Sequence, residues 1–221
     1  MPAAISFLCS EFGDMKLTAI LLPSESGCRG AARPTGYPVM EPPQMINAGE
    51  LVLRRWEAAW ADEAAAAVRE SLPELAPFLP WATAAHDVEA SRVFIEKSGE
   101  LWDQGTTFNY GIFTAVGDLV GAIGLMTRMG PGVLEIGYWM RTAYTGRGYM
   151  TAAVEALTRV AFTLPGIERV AIRHDVANAA SGAVAAKAGF VEVSRVASEP
   201  EAPGETGTDV IRERRGEFAT D

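Results

Sequence analysis

The chain has 221 residues, 48% of them hydrophobic, which is enough for one ordinary domain core with some excess. Its formal net charge of −9 argues against a nucleic-acid-binding protein, because such proteins neutralise phosphates with Lys and Arg. No apolar run in the sequence approaches the roughly 20 residues of a membrane-spanning helix. We therefore expect a cytoplasmic protein with no nucleic-acid and no membrane partner.

Cysteine and histidine are scarce. The two cysteines, Cys9 and Cys28, both lie near the N-terminus, so the predicted core has none for a disulfide, a thiolate metal site or a nucleophile. His86 and His174 are too few and too scattered for a metal centre. The sequence predicts a reducing compartment and no metal.

The first 44 residues do not have the pattern of a folded domain. Their early part is patchily apolar and interrupted by charges, and Pro, Gly and Ser dominate the later part. A secretory signal needs a longer continuous apolar stretch. We expect residues 1–44 to be a poorly ordered extension, Met45 to be a natural first residue, and residues 45–221 to form a single domain.

The remaining pattern alternates between strands and helices. Strands are predicted at 51–55, 107–115, 119–126, 133–140, 169–173 and 190–196, with 209–213 as a last edge strand. Helices are predicted at 57–70, between Asp87 and Gly105, at 150–164 and from Asn178 to Ala188. Short glycine turns make the three middle strands antiparallel. The long helix after residue 140 must be a crossover, so the strands on either side of it are parallel neighbours in an α+β fold.

A glycine-rich turn joins the strand 133–140 to the long helix. Such a turn points unpaired backbone N–H groups and the positive end of the helix dipole at an anion, and Arg147 adds a cation. The alternative is an ordinary tight connection. The P-loop pattern is absent, and Thr151 occupies the third glycine position of a dinucleotide-binding motif, so a different phosphate ligand is indicated.

Charge is distributed unevenly along the chain. Residues 50–103 carry eleven acidic and five basic residues, a net charge of −6. Residues 145–195 carry six basic and four acidic residues, a net charge of +2. An anionic ligand would prefer the second region and a cationic ligand the first, although both could be ordinary solvated surface.

A second motif follows the strand 169–173. Asn178 and Ser181 are three residues apart on a predicted helix, so both side chains can face one side of a crevice at the carboxyl ends of the parallel strands. The alternative is that Asn178 only caps the helix and Ser181 is a small helical residue.

Taken together, these stretches resemble the GNAT N-acetyltransferase superfamily, in particular its RimJ/RimL-type branch. The resemblance covers residues 49 to about 196 and depends on four motifs in order. They are Leu79-Pro80-Trp81, Glu135-Ile-Gly-Tyr-Trp-Met140, Gly146-Arg147-Gly148-Tyr149-Met150-Thr151, and Asn178-x-x-Ser181 followed by Lys187-x-Gly189-Phe190. It implies a central, mostly antiparallel sheet of six to seven strands with one parallel, splayed pair, flanked by about four helices.

The resemblance also implies acetyl-CoA as cosubstrate and a primary amine as acceptor. The residues that it places against acetyl-CoA are Tyr138, Trp139, Met140, Arg141, Gly146, Arg147, Gly148, Tyr149, Met150, Asn178 and Lys187. The sequence departs from the usual pattern in two respects: Thr145 and Met150 bound the turn, and Ala185 stands where many members have a Tyr that protonates the departing thiolate. Ser181 is the candidate for protonating the thiolate in place of that Tyr.

Glu135 is the candidate general base. It is the one charge in an apolar strand beside the turn, where a raised pKa would suit proton removal from an amine. The alternative is a carboxylate paired with Arg or facing solvent. We expect direct acetyl transfer by a monomer or homodimer, with a protein N-terminal α-amine favoured over a small-molecule amine. A non-catalytic acyl-CoA-binding module is the alternative from another class.

Overall fold

The structure, a computed structural model, describes residues 41–216. Its strands are β1 (Met45–Ala48), β2 (Leu51–Arg55), β3 (Thr107–Thr114), β4 (Leu119–Met126), β5 (Val133–Met140), β6 (Arg169–Asp175), β7 (Val191–Ala197) and β8 (Thr208–Arg215). The α-helices are α1 (Ala61–Glu70), α2 (Leu72–Leu75), α3 (Val88–Gln104), α4 (Tyr149–Ala161) and α5 (Ala179–Lys187), and short 3-10 helices cover Ala58–Trp60 and Thr142–Tyr144.

The strands form one eight-stranded sheet in the order β1-β2-β3-β4-β5-β6-β8-β7. All neighbouring pairs are antiparallel except β5 and β6, which are parallel. Helix α4 makes the crossover between these two strands. This confirms the predicted mixed fold with one parallel pair, and the strand count exceeds the expected range because β1 adds an edge strand before β2.

The parallel pair separates along its length. Strand β5 pairs with β6 only from Val133 to Glu135, opposite Arg169 to Ala171. Beyond Ala171, β6 continues to Asp175 on β8 alone, and β5 continues to Met140 on β4. Within residues 41–216, the second half of β5 therefore has an edge that no strand pairs with, and a wedge opens between the carboxyl ends of β5 and β6.

The helices divide between the two faces of the sheet. Leu134, Ile136 and Tyr138 point into the core beneath α4, whereas Trp139 belongs to the core beneath α1 and α3. This division follows from the strand period of two, which sends successive side chains to opposite faces. At the wedge, α4 and α5 therefore cover one face of the sheet, and α1 and α3 cover the other face.

Helix ends lie where the capping signals place them. The Asp87 carboxylate accepts a hydrogen bond from the Ala90 amide at 2.8 Å, and Gly105 ends α3 with a left-handed φ of 74°. The Asn178 side chain accepts from the Ser181 amide at 3.1 Å and begins α5. These predicted caps are confirmed.

The predicted edge position of the last strand is wrong. Strand β8 lies inside the sheet, paired with β6 from Asp209 to Arg215, and β7 is the outer strand. The Asp175 carboxylate at the end of β6 accepts hydrogen bonds from the Thr206, Gly207 and Thr208 amides, which fastens the start of β8 beside β6. A contact of this kind has no local sequence signature.

The predicted N-terminal extension falls almost entirely outside the described residues, as do Cys9 and Cys28. The last few residues of that extension contact the sheet. The Pro43 carbonyl accepts a hydrogen bond from the Tyr110 hydroxyl at 2.9 Å, and the Gln44 carbonyl accepts one from the Arg55 amide at 2.8 Å. Among the helices of residues 41–216, none has the length and apolarity needed to cross a membrane.

Candidate functional site

A cleft of about 540 Å³ occupies the mouth of the wedge. Its lining comes from four parts of the chain: the α2 region, the end of β5 with the following turn, the first turn of α4, and the exposed side of α5. The lining residues are Pro73, Glu74, Pro77, Phe78, Met140, Tyr144, Thr145, Gly146, Gly148, Tyr149, Met150, Thr151, Ala177, Asn178, Ala179, Ala180, Ala183, Val184 and Lys187.

The first turn of α4 supplies the main polar feature of the cleft. Gly148 is the N-cap in a left-handed conformation with φ of 79°, and the first intrahelical bond runs from the Ala152 amide to its carbonyl. The amides of Tyr149, Met150 and Thr151 are therefore left without intrahelical acceptors. In this described turn, no side chain caps the helix, and none of the residues of the turn is acidic. The helix start can bind an anion.

Arg147 lies at the edge of this turn. Its guanidinium donates a hydrogen bond to the Ala143 carbonyl at 3.1 Å and stacks on the Tyr144 ring with a cation–ring distance of 5.2 Å. The side chain is exposed and does not contribute to the lining as the structure stands. Arg147 therefore contributes positive charge next to the helix start.

The lining residues Pro73, Glu74, Pro77 and Phe78, here called the α2 wall, are held next to the end of β5. The Thr142 amide donates to the Ser71 hydroxyl at 3.0 Å, and the Thr142 hydroxyl donates to Glu74 at 3.0 Å. Arg141 donates through Nε to Glu70 at 2.8 Å, so its side chain faces the end of α1 and not the cleft. Hydrogen bonding to Glu70 raises the pKa of Arg141.

The lining residues between Ala177 and Lys187, here called the α5 wall, present mostly small side chains to the cleft. Asn178 lines the cleft while capping the helix, and Lys187 lines its far end. Ser181 is fully buried, and the Tyr138 hydroxyl donates to its backbone carbonyl at 3.5 Å. Burial raises the pKa of Tyr138. Both Ser181 and Tyr138 lie behind the cleft wall.

Glu135 lies at the closed end of the wedge and is held by arginines. Its carboxylate accepts from Nε and Nη2 of Arg128, both at 2.7 Å, and lies 3.9 Å from Arg173. The Glu135 side chain is only 1% exposed. A buried carboxylate in a bidentate pair with arginine is a typical structural ion pair. Glu135 does not line the cleft.

The face beneath α1 and α3 carries further charge beside the wedge. Arg173 spans from Glu135 to Asp209, whose carboxylate lies 3.8 Å from the Arg173 guanidinium. Asp209 is the more accessible of the two carboxylates, with 18% of its side chain exposed. Burial raises the pKa of Asp209, against the lowering effect of Arg173. On the same face, Trp139 packs edge-on against Trp81 with ring centroids 6.2 Å apart.

The structure thus brings seven of the predicted binding residues to one cleft: Met140, Gly146, Gly148, Tyr149, Met150, Asn178 and Lys187. The side chains of six others lie outside its lining: Glu135, Tyr138, Trp139, Arg141, Arg147 and Ser181. Sequence reasoning missed the α2 wall and the alanines of α5, whose only signals were the two prolines of residues 73–77 and a run of small residues. Among residues 41–216, no group of three or more His, Cys, Asp or Glu is arranged to hold a metal ion.

Comparison with known proteins agrees with this geometry. Residues 50–191 match the family model described as the acetyltransferase (GNAT) domain. A Bacillus subtilis (strain 168) protein provisionally named the ribosomal N-acetyltransferase YdaF is 43% identical over 58 residues, which cover 26% of this chain and 32% of that protein. The chain thus matches about a third of that relative's length.

Two solved structures share the fold. The microcin C7 self-immunity acetyltransferase MccE, in complex with acetyl-CoA and AMP, has a TM-score of 0.72 at 20% identity, covering 80% of this chain and 99% of that one. RimL, a ribosomal L7/L12 alpha-N-protein acetyltransferase in complex with coenzyme A, has a TM-score of 0.70 at 23% identity, covering 77% of this chain and 97% of that one.

Proposed function

The chain belongs to the acetyltransferase (GNAT) family, and from this premise we propose that it transfers an acetyl group from acetyl-CoA to a primary amine by direct attack. One observation carries the proposal. The wedge between β5 and β6 opens beside a helix start whose first amides have no intrahelical acceptor. A long ligand with a diphosphate at one end and an acyl thioester at the other matches this pair of features.

The residues around the cleft fit such a ligand. The diphosphate is placed on the amides of Tyr149, Met150 and Thr151, where the helix dipole favours negative charge. Arg147 and Lys187 add positive charge at either side of the cleft. These groups bind through charge and backbone geometry, so the Thr145 and Met150 departures from the usual motif leave the binding mode intact.

The unpaired edge of β5 is proposed to hold the arm that carries the thioester. Backbone groups between Ile136 and Met140 on this edge have no β6 partner in the described sheet, so they are available for strand-like hydrogen bonds. The predicted roles of Tyr138 and Met140 are thus assigned to their main chain. The Arg141 amide donates to the Val120 carbonyl on β4 at 2.8 Å, so the main chain of Arg141, and by alternation that of Trp139, faces β4 instead. Holding the thioester in this position removes much of the entropy cost of bringing it to the amine.

Proton removal from the amine needs a base, since an α-amine titrates at about 8 and is largely protonated at neutral pH. Glu135 as the base stays a prediction, but both of its oxygens are engaged by Arg128. Asp209 lies on the same face of the sheet and is more accessible than Glu135. The Arg173 guanidinium lies 3.8 Å from its carboxylate, farther than Arg128 lies from Glu135. We therefore propose that Asp209 takes the proton, directly or through a water molecule, and that Glu135 holds Arg128 and Arg173 in place.

The departing thiolate needs a proton donor. The Ser181 hydroxyl is buried behind the α5 wall, and within residues 41–216 it has no hydrogen-bond partner. Its predicted role as donor therefore requires a rotation or a bridging water, and it stays a prediction. The amine proton delivered to the base supplies an alternative source through solvent at the cleft mouth.

A protein N-terminal α-amine is the acceptor that we favour. The structural relative RimL is named for transfer to the α-amine of a ribosomal protein, and the acidic charge of residues 50–103 suits a cationic acceptor. MccE, crystallised with AMP, supports a small-molecule acceptor as the second candidate.

The test is to incubate the full chain with acetyl-CoA and a pooled set of peptides and small amines. The proposal predicts release of free coenzyme A together with one product heavier by an acetyl group, found among the peptides. A small-amine product would favour the second candidate. Binding of acetyl-CoA without any product would identify a non-catalytic acyl-CoA-binding module and refute the proposal.

A further inference from the structure

The two walls of the cleft are joined on the far side of the wedge by the connection between β7 and β8. This connection, residues 198–207, follows β7 and reaches the α2 region before it enters β8. Its ends close on each other, since the Ser198 amide donates to the Gly207 carbonyl at 3.0 Å. We call residues 198–207 the brace. None of its residues is part of the cleft lining.

The brace is anchored at one end by Asp175. This carboxylate accepts hydrogen bonds from the Thr206 amide at 2.8 Å, the Thr206 hydroxyl at 3.1 Å, the Gly207 amide at 3.1 Å and the Thr208 amide at 3.4 Å. It also accepts from the amide of Ala177, a lining residue at the start of α5, at 2.8 Å. One side chain thus holds both the brace and the beginning of the α5 wall.

The charge of Asp175 suits this role. The residue is 4% exposed, and burial alone would raise the pKa of its carboxyl. The hydrogen bonds from Ala177, Thr206 and Thr208 outweigh burial and hold the pKa below its usual value. The group therefore remains an acceptor at neutral pH, where all five donors need it.

The middle of the brace contacts the opposite wall. The Gly204 amide donates to the carbonyl of Pro77, a lining residue, at 2.7 Å, and the neighbouring Ala202 is buried. A Cβ on Gly204 would lie 2.6 Å from the Pro77 carbonyl oxygen and 2.8 Å from its Cβ. Only glycine permits this approach, although the φ of Gly204 is not left-handed.

From these contacts we infer that the brace fixes the separation of the α2 and α5 walls, and that Asp175 and Gly204 are positioning residues for the ligand of the cleft. The α2 wall is tied to β5 through Thr142 on one side and to β6 and α5 through the brace on the other. Without the brace, the walls belong to separate elements on opposite sides of a splayed strand pair. The inference rests on the proposed function for the identity of the ligand, acetyl-CoA.

The test measures binding of coenzyme A and acetyl-CoA by calorimetry, so it does not depend on any acceptor. Gly204→Ala should raise both dissociation constants about tenfold, or about 1.4 kcal/mol, because the added Cβ would lie 2.6 Å from the Pro77 carbonyl oxygen and force the brace away from the α2 wall. Gly99→Ala is the matched control, since a Cβ on Gly99 would meet no atom of residues 41–216 within 4 Å and its φ is not left-handed. The control should bind as the unaltered chain does.

Asp175→Asn provides the independent variant, because it keeps the side-chain size and removes the charge that the amides face. Like Gly204→Ala, it should raise the dissociation constant of coenzyme A, while kcat at saturating acetyl-CoA changes by less than about threefold. Both variants are measured under conditions in which circular dichroism shows that they are folded. Unchanged dissociation constants in folded Gly204→Ala and Asp175→Asn would overturn the inference. Wild-type binding without turnover would instead refute the proposed function and leave this test intact.

Discussion

The two halves of β5 show how one strand can serve both the fold and the site. From Val133 to Glu135 the strand pairs with β6, and Glu135 is buried against Arg128 and Arg173. From Ile136 to Met140 the strand keeps its β4 pairing but has no β6 partner among the described residues. The first half holds the sheet together, and the second half lines an open wedge.

This contrast shows that a binding site can be made by ending a pairing instead of by adding groups. The unpaired edge of β5 costs little free energy because it faces the cleft, where a ligand or water can form hydrogen bonds with its backbone groups. The paired half must then keep β5 and β6 in a fixed relative position. The buried ion pairs of Glu135, the last residue of β5 that pairs with β6, are suited to this role.

The largest effect is expected from filling the open half. Ala180→Trp places an indole in the cleft from the α5 wall, so it should raise the dissociation constant of acetyl-CoA by at least about 100-fold, or about 2.7 kcal/mol. Ala186→Trp, on the exposed outer side of the same helix, is the control and should bind normally. Calorimetric titration of both variants checks the prediction, and equal affinity in the two would place the ligand outside the cleft.

The paired half is tested by Glu135→Gln. Glu135→Gln removes the buried negative charge that Arg128 and Arg173 share, while Arg173 keeps Asp209 at 3.8 Å. The free energy of unfolding should therefore fall by up to about 3 kcal/mol, the full cost of breaking a buried ion pair being reduced because Arg128 is partly exposed. Urea denaturation measures this change. The folded variant should retain kcat within about threefold, whereas loss of a general base would lower kcat by about 10²–10⁴-fold.

Asp209→Asn is the matched carboxylate substitution. If Asp209 is the base, kcat/KM of the unaltered enzyme falls as the pH drops through the raised pKa of this group, because the carboxyl is then protonated. The variant should lack this limb of the pH profile and should be slower at neutral pH. If the limb is retained in Asp209→Asn and lost in Glu135→Gln, the assignment of the two carboxylates must be exchanged.

The helix start is tested by adding an anion to it. Thr151→Glu introduces a carboxylate into the first turn of α4 and should weaken coenzyme A binding about tenfold through repulsion of the diphosphate. Thr151→Gln has the same length without the charge and should change affinity by less than about threefold. The difference between the two should shrink as salt is added. A difference that is absent at low salt would contradict a diphosphate at this position.

The smallest effect is expected at the rim. Lys187→Gln removes an exposed cation at the end of α5, so it should raise the dissociation constant by only about two- to threefold, in line with the small value of solvent-exposed charge pairs. The same titration applies. An effect as large as that of Thr151→Glu would show that Lys187 contacts the ligand directly.

Much of the fold could be predicted because it depends on local signals. Asp87, Gly105 and Asn178 lie where capping preferences place them, and the crossover through α4 determined the parallel pair. Pairing of Glu135 with an arginine was an alternative that the sequence allowed, but the identity of that arginine could not be predicted, because Arg128 meets Glu135 through the register of the β4–β5 hairpin. Ser181 faces inward because of the rotational phase of α5, which a spacing of three residues leaves undetermined.

The cleft itself was predictable only where backbone geometry makes it. The turn at Gly146 and Gly148 has a local signature, and it lines the cleft as expected. The α2 wall and the brace have none, since Pro77 and Gly204 are adjacent only after the whole sheet has formed. Side chains of the predicted set that point elsewhere, such as that of Arg141, follow tertiary partners such as Glu70.

The most direct test of the proposed function is a crystal structure of the chain with coenzyme A. We predict the diphosphate within hydrogen-bond distance of the Tyr149, Met150 and Thr151 amides, with the arm of the ligand entering the wedge along the edge of β5 after Glu135. Coenzyme A bound at another surface, or a wedge closed by continued pairing of β5 and β6, would contradict the proposal.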